Sequence, residues 1–384
     1  KRKYIGLLLF TCDYMQVREL EKLVKDEITQ RKEEGYDVTD VENRFLRAGR
    51  KDVSELNEFL KALENVHLKP DFPYKEPSEL KDIKAERHKI LKKIEVTLSD
   101  DELYNKIYGG WLGRCAGCLL GKPVEGLNKR QIEEWLKIAD AYPLKDYFPP
   151  IRDLPKDAPD WLKNRLSSIE KRKTGVLLGQ INRMPRDDDI DYTIINLHIL
   201  ENYGPDFTTV NVGETWLYLL PYLQVYTAER AAYRNLVNGL APPKTATHMN
   251  PYREWIGAQI RADMWGYVTP GMPELGVELA YRDARLSHVK NGIYGEMFMS
   301  AMISTAFTTN DIEEVISVGL SEIPQKSRLA EAVKDVIDWS KKFNDWRETW
   351  REINKKYGRY HHVHTINNTC LVLLGLLYGD GDFE

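Results

Sequence analysis

The stretch SDDELYNKIYGGWLGRCAGCLLGKPVE, residues 99–125, decides the fold class of this sequence. Ser99 is followed three residues later by Glu102, which is the pattern of a capping box at the start of a helix. Glycine normally weakens a helix, so the many small residues after Ile107 indicate that another backbone approaches closely. The pattern therefore predicts a long helix that lies in the protein core.

Helical patterns also dominate the rest of the chain, and alternating β-branched residues are scarce. Leu56, Phe59, Leu60 and Leu63, for example, recur at the spacing of a buried helix face. Residues 141–186 are rich in proline and lack periodicity, which predicts a long irregular segment of the kind that often carries function. We predict an all-α protein. The predicted helices cover residues 17–34, 54–65, 78–93, 190–203, 214–234, 257–266, 273–286, 293–308, 310–319, 326–344 and 367–378.

The charge balance restricts the partners of the protein. The formal net charge is −4, so there is no basic excess to bind a phosphate backbone, and we expect no nucleic-acid partner. No apolar run approaches the roughly 20 residues that span a bilayer, so we expect no membrane span. Residues 1–12 are basic and then apolar, like the end of a signal peptide, but a first buried helix or strand is the favoured interpretation.

The four cysteines are Cys12, Cys115, Cys118 and Cys370. Cys115 and Cys118 form a lone CxxC, which lacks the second pair that a zinc site needs and the βαβ context of a redox site. We predict two buried thiols on a helix rich in small residues. This use of cysteine is typical of a reducing compartment, and we expect a cytoplasmic protein.

Residues 1–95 carry nearly equal numbers of acidic and basic side chains. This pattern predicts an accessory helical region rather than a tail that binds polyanions. Residues 96–384 are predicted to form the catalytic domain.

The acidic run Asp187-Asp188-Asp189 opens a predicted helix. Adjacent carboxylates repel one another unless a cation neutralises them, and such oxygen ligands suit Mg²⁺, Ca²⁺ or Mn²⁺. The alternative is an ordinary helix start, because acids are stabilised there by the helix dipole and the free amide groups. The apolar pattern predicts that the buried face of this helix consists of Ile190, Ile194, Leu197 and Leu200.

Other polar residues are weaker candidates. Glu125 directly follows the glycine-rich helix and could act as a general base or a partner of a metal ligand, or be a surface glutamate. The turn around His288 and Asn291 could present amide groups to an anion such as a pyrophosphate, or simply cap a helix. Arg261 and Asp263 are expected to form a buried structural pair.

A histidine cluster near the end of the chain is the last candidate. It comprises His361, His362 and His364. Histidines at this spacing can bind a transition metal. No cysteine or carboxylate is suitably placed around them, and a structural role is favoured.

Taken together and in this order, the motifs resemble those of the ADP-ribosylglycohydrolase family, of the dinitrogenase reductase-activating glycohydrolase type. Residues 107–125 resemble its glycine-rich first motif, which ends in Pro-Val-Glu, and residues 187–193 resemble its Thr/Ser-Asp-Asp metal motif. Residues 257–263 resemble its Gly-Ala-x-x-Arg segment, and Ser287-His288 resembles its Thr/Ser-His segment. The resemblance covers roughly residues 100–384 and leaves residues 1–95 unmatched.

The resemblance implies an orthogonal bundle of α-helices, here with an N-terminal helical extension. It implies Mg²⁺-dependent hydrolysis of an ADP-ribosyl or related ribosyl linkage, with two Mg²⁺ ions, or Mn²⁺ in their place, in a central cleft. The substrate would be a small molecule or an ADP-ribosylated molecule, and the oligomeric state is not indicated. The alternative is a non-catalytic relative that binds ADP-ribose-like ligands or has a structural role.

The resemblance also implies roles for individual residues. Asp187, Asp188 and Asp189 would bind the metal, and Glu125 would act in catalysis together with Asp188 and Asp189. The residues expected to line the ADP-ribose pocket are His288, Asn291, Gly292 and Asn250.

Three features depart from the family pattern. Cys118 stands where the family often has aspartate, and Asp187 stands where it usually has threonine or serine. The second metal motif of the family, an Asp-x-Asp, is expected shortly after Glu384, although Asp380 and Asp382 have a similar spacing. We therefore expect the catalytic domain to be truncated at its C-terminus.

Overall fold

The computed structural model describes residues 2–49, 51–88, 96–172 and 174–381, with side chains from Gln16 onward. Within these residues the chain forms eighteen α-helices and no β-strand, which confirms the all-α prediction. None of the helices in this part combines the length and apolar character that a membrane span requires. The helices are α1 Arg2–Glu33, α2 Thr39–Arg47, α3 Val53–Glu64, α4 Leu80–Glu86, α5 Asp100–Gly121, α6 Lys129–Ile138, α7 Asp160–Arg172, α8 Asp188–Tyr203, α9 Thr209–Leu219, α10 Thr227–Val237, α11 Lys244–Thr247, α12 Asp263–Tyr267, α13 Pro273–Ala284, α14 Lys290–Thr305, α15 Ile312–Ser321, α16 Arg328–Lys342, α17 Trp346–Tyr357 and α18 Thr365–Tyr378.

The main core surrounds α14, which is buried along most of its length. Helices α12, α13, α15, α16 and α18 pack against it. A helix that is apolar on all sides requires neighbours on all sides, and this explains its central position. A second core joins α8, α9 and α10 to α12 and α13 around the buried indoles of Trp216 and Trp265.

The N-terminal helices have a smaller core of their own. The predicted face of α3 is confirmed, because Leu56, Phe59, Leu60 and Leu63 are all buried against α1 and α2. Asp52 caps this helix through a capping box with Glu55, so the helix begins at Val53, one residue before the predicted start.

Buried ion pairs connect these helices to the rest of the protein. Arg253 is buried and binds Glu27 and Glu34, with a distance of 2.8 Å to each. Arg328 is also buried and binds Glu76 at 2.7 Å. The boundary expected near residue 95 stays a prediction, but residues 16–88 make extensive polar contacts with the rest of the chain.

The position of α5 differs from the prediction. The capping box of Ser99 and Glu102 is confirmed, but Leu119 is the one buried residue among the described residues of α5. A close contact is seen at Gly110, where an added Cβ would lie 2.9 Å from the ring of Tyr267, whereas the space beside Gly109 is open. The prediction of a core helix is wrong, because the space beside Gly113 and Gly121 is also open, which leaves Gly110 as the only one of these four glycines with another residue close to it.

Two other segments also differ from the prediction. The predicted helix 214–234 is interrupted at Pro221, which cannot continue α9 because it lacks an amide hydrogen, and α10 begins six residues later. Residues 141–186 are not irregular throughout, because they contain α7. A fourth core around Trp135 and Leu162 packs α6 and α7 against the end of α5.

Candidate functional site

The acidic run lies where the end of α5 meets the start of α8. Asp187 is the N-cap residue of α8, and its carboxylate accepts a hydrogen bond from the amide of Asp189 at 3.3 Å. The predicted helix start is therefore confirmed. The same carboxylate forms an ion pair with Lys122, which directly follows α5. Asp187, Asp188 and Asp189 are all partly buried.

Cys118 lies beside these carboxylates. Its sulfur and one carboxylate oxygen each from Asp187 and Asp189 lie within 4.8 Å of one another. Among the described residues, this is the one group of three side chains of metal-binding type found that close together. The expectation of two buried thiols is wrong, because Cys115 and Cys118 are both partly exposed. The CxxC spacing does not reveal this arrangement, which depends on how α5 packs on α8.

Arg114 fixes the junction of the two helices, although no pattern in the sequence points to it. Its Nε donates a hydrogen bond to the carbonyl of Asp189 at 2.8 Å, and its Nη2 donates to the carbonyl of Ile260. The guanidinium also lies 3.8 Å from the Asp189 carboxylate and 3.9 Å from that of Asp263. The partly buried side chain of Arg114 thus sets the position of the first turn of α8.

The buried face of α8 is more polar than predicted. Thr193 donates its hydroxyl hydrogen to the carboxylate of Asp263 at 2.9 Å, and Asn196 donates to the carbonyl of Arg261 at 3.0 Å. By contrast, the side chains of Ile194 and Leu197, which were predicted to be buried, are 54% and 42% exposed. Ile190 is buried as predicted, but Tyr192, Ile195 and Ile199 pack in the second core in place of Ile194 and Leu197.

The electrostatics of the junction favour a cation. Burial is the largest effect and raises the pKa of Asp189, the Arg114 guanidinium opposes this shift, and the charge of Asp188 adds to it. Burial, together with the charge of Asp189, raises the pKa of the Cys118 thiol to about 12. Because negative charge is costly here, a bound cation would stabilise the ionised forms of these groups.

Glu125 lies close to the acidic run. It follows the 3₁₀ turn Lys122–Val124 and is exposed, and its charge contributes to the raised pKa of Asp189. Arg165 of α7 holds this turn, because its guanidinium donates to the carbonyls of Pro123, at 2.8 Å, and Glu125. Because Lys122 at the start of this turn pairs with Asp187, the turn that carries Glu125 lies beside the acidic run.

The four expected pocket residues have a different environment. The side-chain amide of Asn291 donates to Glu76 and Glu254, at 2.8 Å each, and His288 shares a hydrogen bond with Ser287. The two others are equally enclosed, since Asn250 is fully buried and a Cβ on Gly292 would lie 2.5 Å from the carbonyl of Arg253. None of these contacts involves the acidic run. Contact between these four residues and a substrate stays a prediction.

Arg261 and Asp263 do not form the expected buried pair. Arg261 is fully buried, as expected, but it binds Asp283 and Glu229 at 3.0 Å each rather than Asp263. The expected pair is wrong because Asp263 is held by Thr193 on α8.

The histidine cluster has structural contacts. His364 is buried and caps α18 through its Nδ1, which accepts from the amide of Ile366. His361 stacks on Trp255 at a ring distance of 4.2 Å.

The residues at the junction of α5 and α8 fit a divalent ion. Within the close group, Asp187 and Asp189 supply carboxylate oxygens, which are the preferred ligands of Mg²⁺ and Mn²⁺. Binding of the ion by Asp188 stays a prediction. The thiol of Cys118 is a softer donor and is not a typical ligand of Mg²⁺.

Comparison with known proteins gave one match. A family model described as ADP-ribosylglycohydrolase matches residues 99–384, which is most of the chain. No curated protein and no solved structure matches the chain significantly.

Proposed function

Because the chain belongs to the ADP-ribosylglycohydrolase family, we propose that it hydrolyses an ADP-ribosyl or related ribosyl glycosidic linkage where α5 meets α8. The observation that supports this site is the ion pair of Lys122 with Asp187, which joins the turn that carries Glu125 to the acidic run from more than 60 positions away in the sequence. Such a group of carboxylates is typical of a site that stabilises positive charge on a sugar.

The chemistry follows from the charge that develops in the reaction. Cleavage of the bond at C1″ of the ribose gives the sugar oxocarbenium character, which nearby carboxylates stabilise. Glu125, which is exposed beside the cluster, would accept a proton from the attacking water. Asp188 and Asp189 would hold a divalent ion, which when bound supplies a fixed positive charge that orients the ribose hydroxyls.

We propose that Asp187 mainly has a positioning role. Its carboxylate already caps α8 and pairs with Lys122. It therefore positions the first turn of α8 as well as offering an oxygen to an ion. The same pairing supports the alternative of a non-catalytic, ligand-binding relative, because Lys122 and Arg114 already neutralise part of the negative charge.

The test separates binding from hydrolysis. Isothermal titration of ADP-ribose with and without Mg²⁺ or Mn²⁺ measures binding, and release of ADP-ribose from conjugates of arginine and of serine measures hydrolysis. We expect Glu125→Gln to lower the rate by about 10²-fold or more without changing the fold. Asp160→Asn is the matched control, since Asp160 lies in the first turn of α7 with a side chain that is 96% exposed.

The outcomes are distinct. Unchanged hydrolysis by the Glu125→Gln variant would remove Glu125 from the mechanism. Binding of ADP-ribose without hydrolysis of any conjugate would favour the non-catalytic alternative. The absence of both binding and hydrolysis would count against the proposal as a whole.

A further inference from the structure

We infer that the thiol of Cys118 is a metal ligand beside Asp187 and Asp189, and that the site therefore favours ions such as Zn²⁺ or Co²⁺ over Mg²⁺. The inference rests on the proposed function only for the expectation that a divalent ion binds at this junction. Beyond that function, we specify the class of ion and add one ligand, a thiol, that Mg²⁺ does not prefer.

The geometry supports the thiol as a ligand. The sulfur of Cys118 and the oxygens of Asp187 and Asp189 lie within 4.8 Å of one another. Two ligands of one tetrahedral ion with bonds of 2.0–2.3 Å lie roughly 3.5 Å apart. The three atoms therefore need only small side-chain movements to contact the same ion.

The positions of these atoms are linked through the backbone. Cys118 lies in the last turn of α5, one turn after Arg114 on the same helix. Arg114 in turn holds the carbonyl of Asp189, with its Nε at 2.8 Å. The contact that fixes α8 on α5 thus also sets the distance between the thiol and the carboxylates.

The donor set only partly fits the ion that the family implies. Mg²⁺ requires oxygen ligands in a near-octahedral arrangement, and only the carboxylates of Asp187 and Asp189 in this group supply oxygen. A thiolate suits ions of intermediate softness, such as Zn²⁺, far better than Mg²⁺. The presence of Cys118 within the same group shifts the preference of the site toward such ions.

Lys122 adds a competing charge. Its ammonium group pairs with Asp187, so an ion that uses this carboxylate must displace Lys122. The pair is partly exposed, with 25% of the lysine side chain and 11% of the aspartate side chain accessible, so displacement is sterically open. Removing the ammonium should therefore strengthen metal binding several-fold.

The experiment is a titration of the full chain with Co²⁺, because a thiolate bound to Co²⁺ gives a charge-transfer absorption band that oxygen ligands do not give. We expect the band in the wild-type protein, competition by Zn²⁺, and no competition by a hundredfold excess of Mg²⁺. Cys118→Ser should abolish the band. Cys115→Ser is the matched control, because Cys115 is also partly exposed but lies outside the group, and its variant should keep the band.

Other results would overturn the inference. These are the absence of a band in the wild-type protein, a band that persists in Cys118→Ser, or effective competition by Mg²⁺. Lys122→Ala is the second variant and leaves the thiol intact. It should show the same band at several-fold lower Co²⁺ concentration, and no gain in affinity would exclude Asp187 as a ligand.

This design separates the inference from the proposed function. A Co²⁺ band without hydrolysis of any ADP-ribosyl conjugate would support the metal site and refute the enzymatic proposal. Hydrolysis with Mg²⁺ but without a Co²⁺ band would support the enzyme and refute the thiolate ligand.

Discussion

Replacing Ile83 with alanine should destabilise the part of the chain that matches the family, although Ile83 lies outside that match. Its side chain is fully buried and belongs to the main core, together with Val277 and Tyr281 of α13. Truncation of a fully buried isoleucine to alanine costs about 2–5 kcal/mol, because apolar contacts are lost and a cavity remains. For this site we expect about 3 kcal/mol, which is roughly a hundredfold change in the unfolding equilibrium.

The assay uses the distribution of tryptophan in the sequence. The chain has nine tryptophans, and the first of them is Trp111, so tryptophan emission, excited selectively, comes from the family domain alone. Urea denaturation followed by this fluorescence should show a lower midpoint for Ile83→Ala with an unchanged slope. Leu68→Ala is the matched control, because Leu68 lies in the same region but is 49% exposed, and its midpoint should hardly change.

The result that would refute this reasoning is an unchanged tryptophan transition in Ile83→Ala. It would mean that the accessory region predicted for residues 1–95 unfolds independently of the rest of the chain. A shift confined to the Ile83 variant would instead make α4 part of the domain core.

Further predictions concern buried acids. Burial, together with the neighbouring charge of Asp283, raises the pKa of Glu296 well above its ordinary value. In urea denaturation, Glu296→Gln should therefore lower the free energy of unfolding by less than about 1 kcal/mol. Asp283→Asn weakens the pairing of the buried Arg261 and should lower it by about 3 kcal/mol. An equal loss of unfolding free energy in the two variants would contradict a protonated Glu296 beside an ionised Asp283. Burial, followed by the charge of Glu254, raises the pKa of Glu33 from 4.5 to about 7, so the folded state binds this proton more tightly than the unfolded state does. The free energy of unfolding should therefore fall as the pH rises from about 4.5 to about 7, and Glu33→Gln should remove up to about 3 kcal/mol of that fall. The same pH profile in variant and wild type would show that Glu33 titrates normally.

The sequence by itself determined the features that depend on neighbouring residues. The capping box at Ser99, the buried face of α3 and the start of α8 at Asp188 were all predicted, and the structure confirms them. Each depends on contacts within one or two helical turns, which a local pattern records directly. The ordered motifs likewise indicated the family.

Only the tertiary structure decided which of these helices meet and which side chains are buried. The sequence pattern placed α5 in the core and Ile194 on a buried face, and both predictions are wrong. The proximity of Cys118 to the acidic run joins residues about 70 positions apart, and the hydrogen bonds of Arg114 join residues 75 and 146 positions apart. Such pairings depend on the packing of whole helices through apolar cores, hydrogen bonds and ion pairs, and no local pattern contains that information.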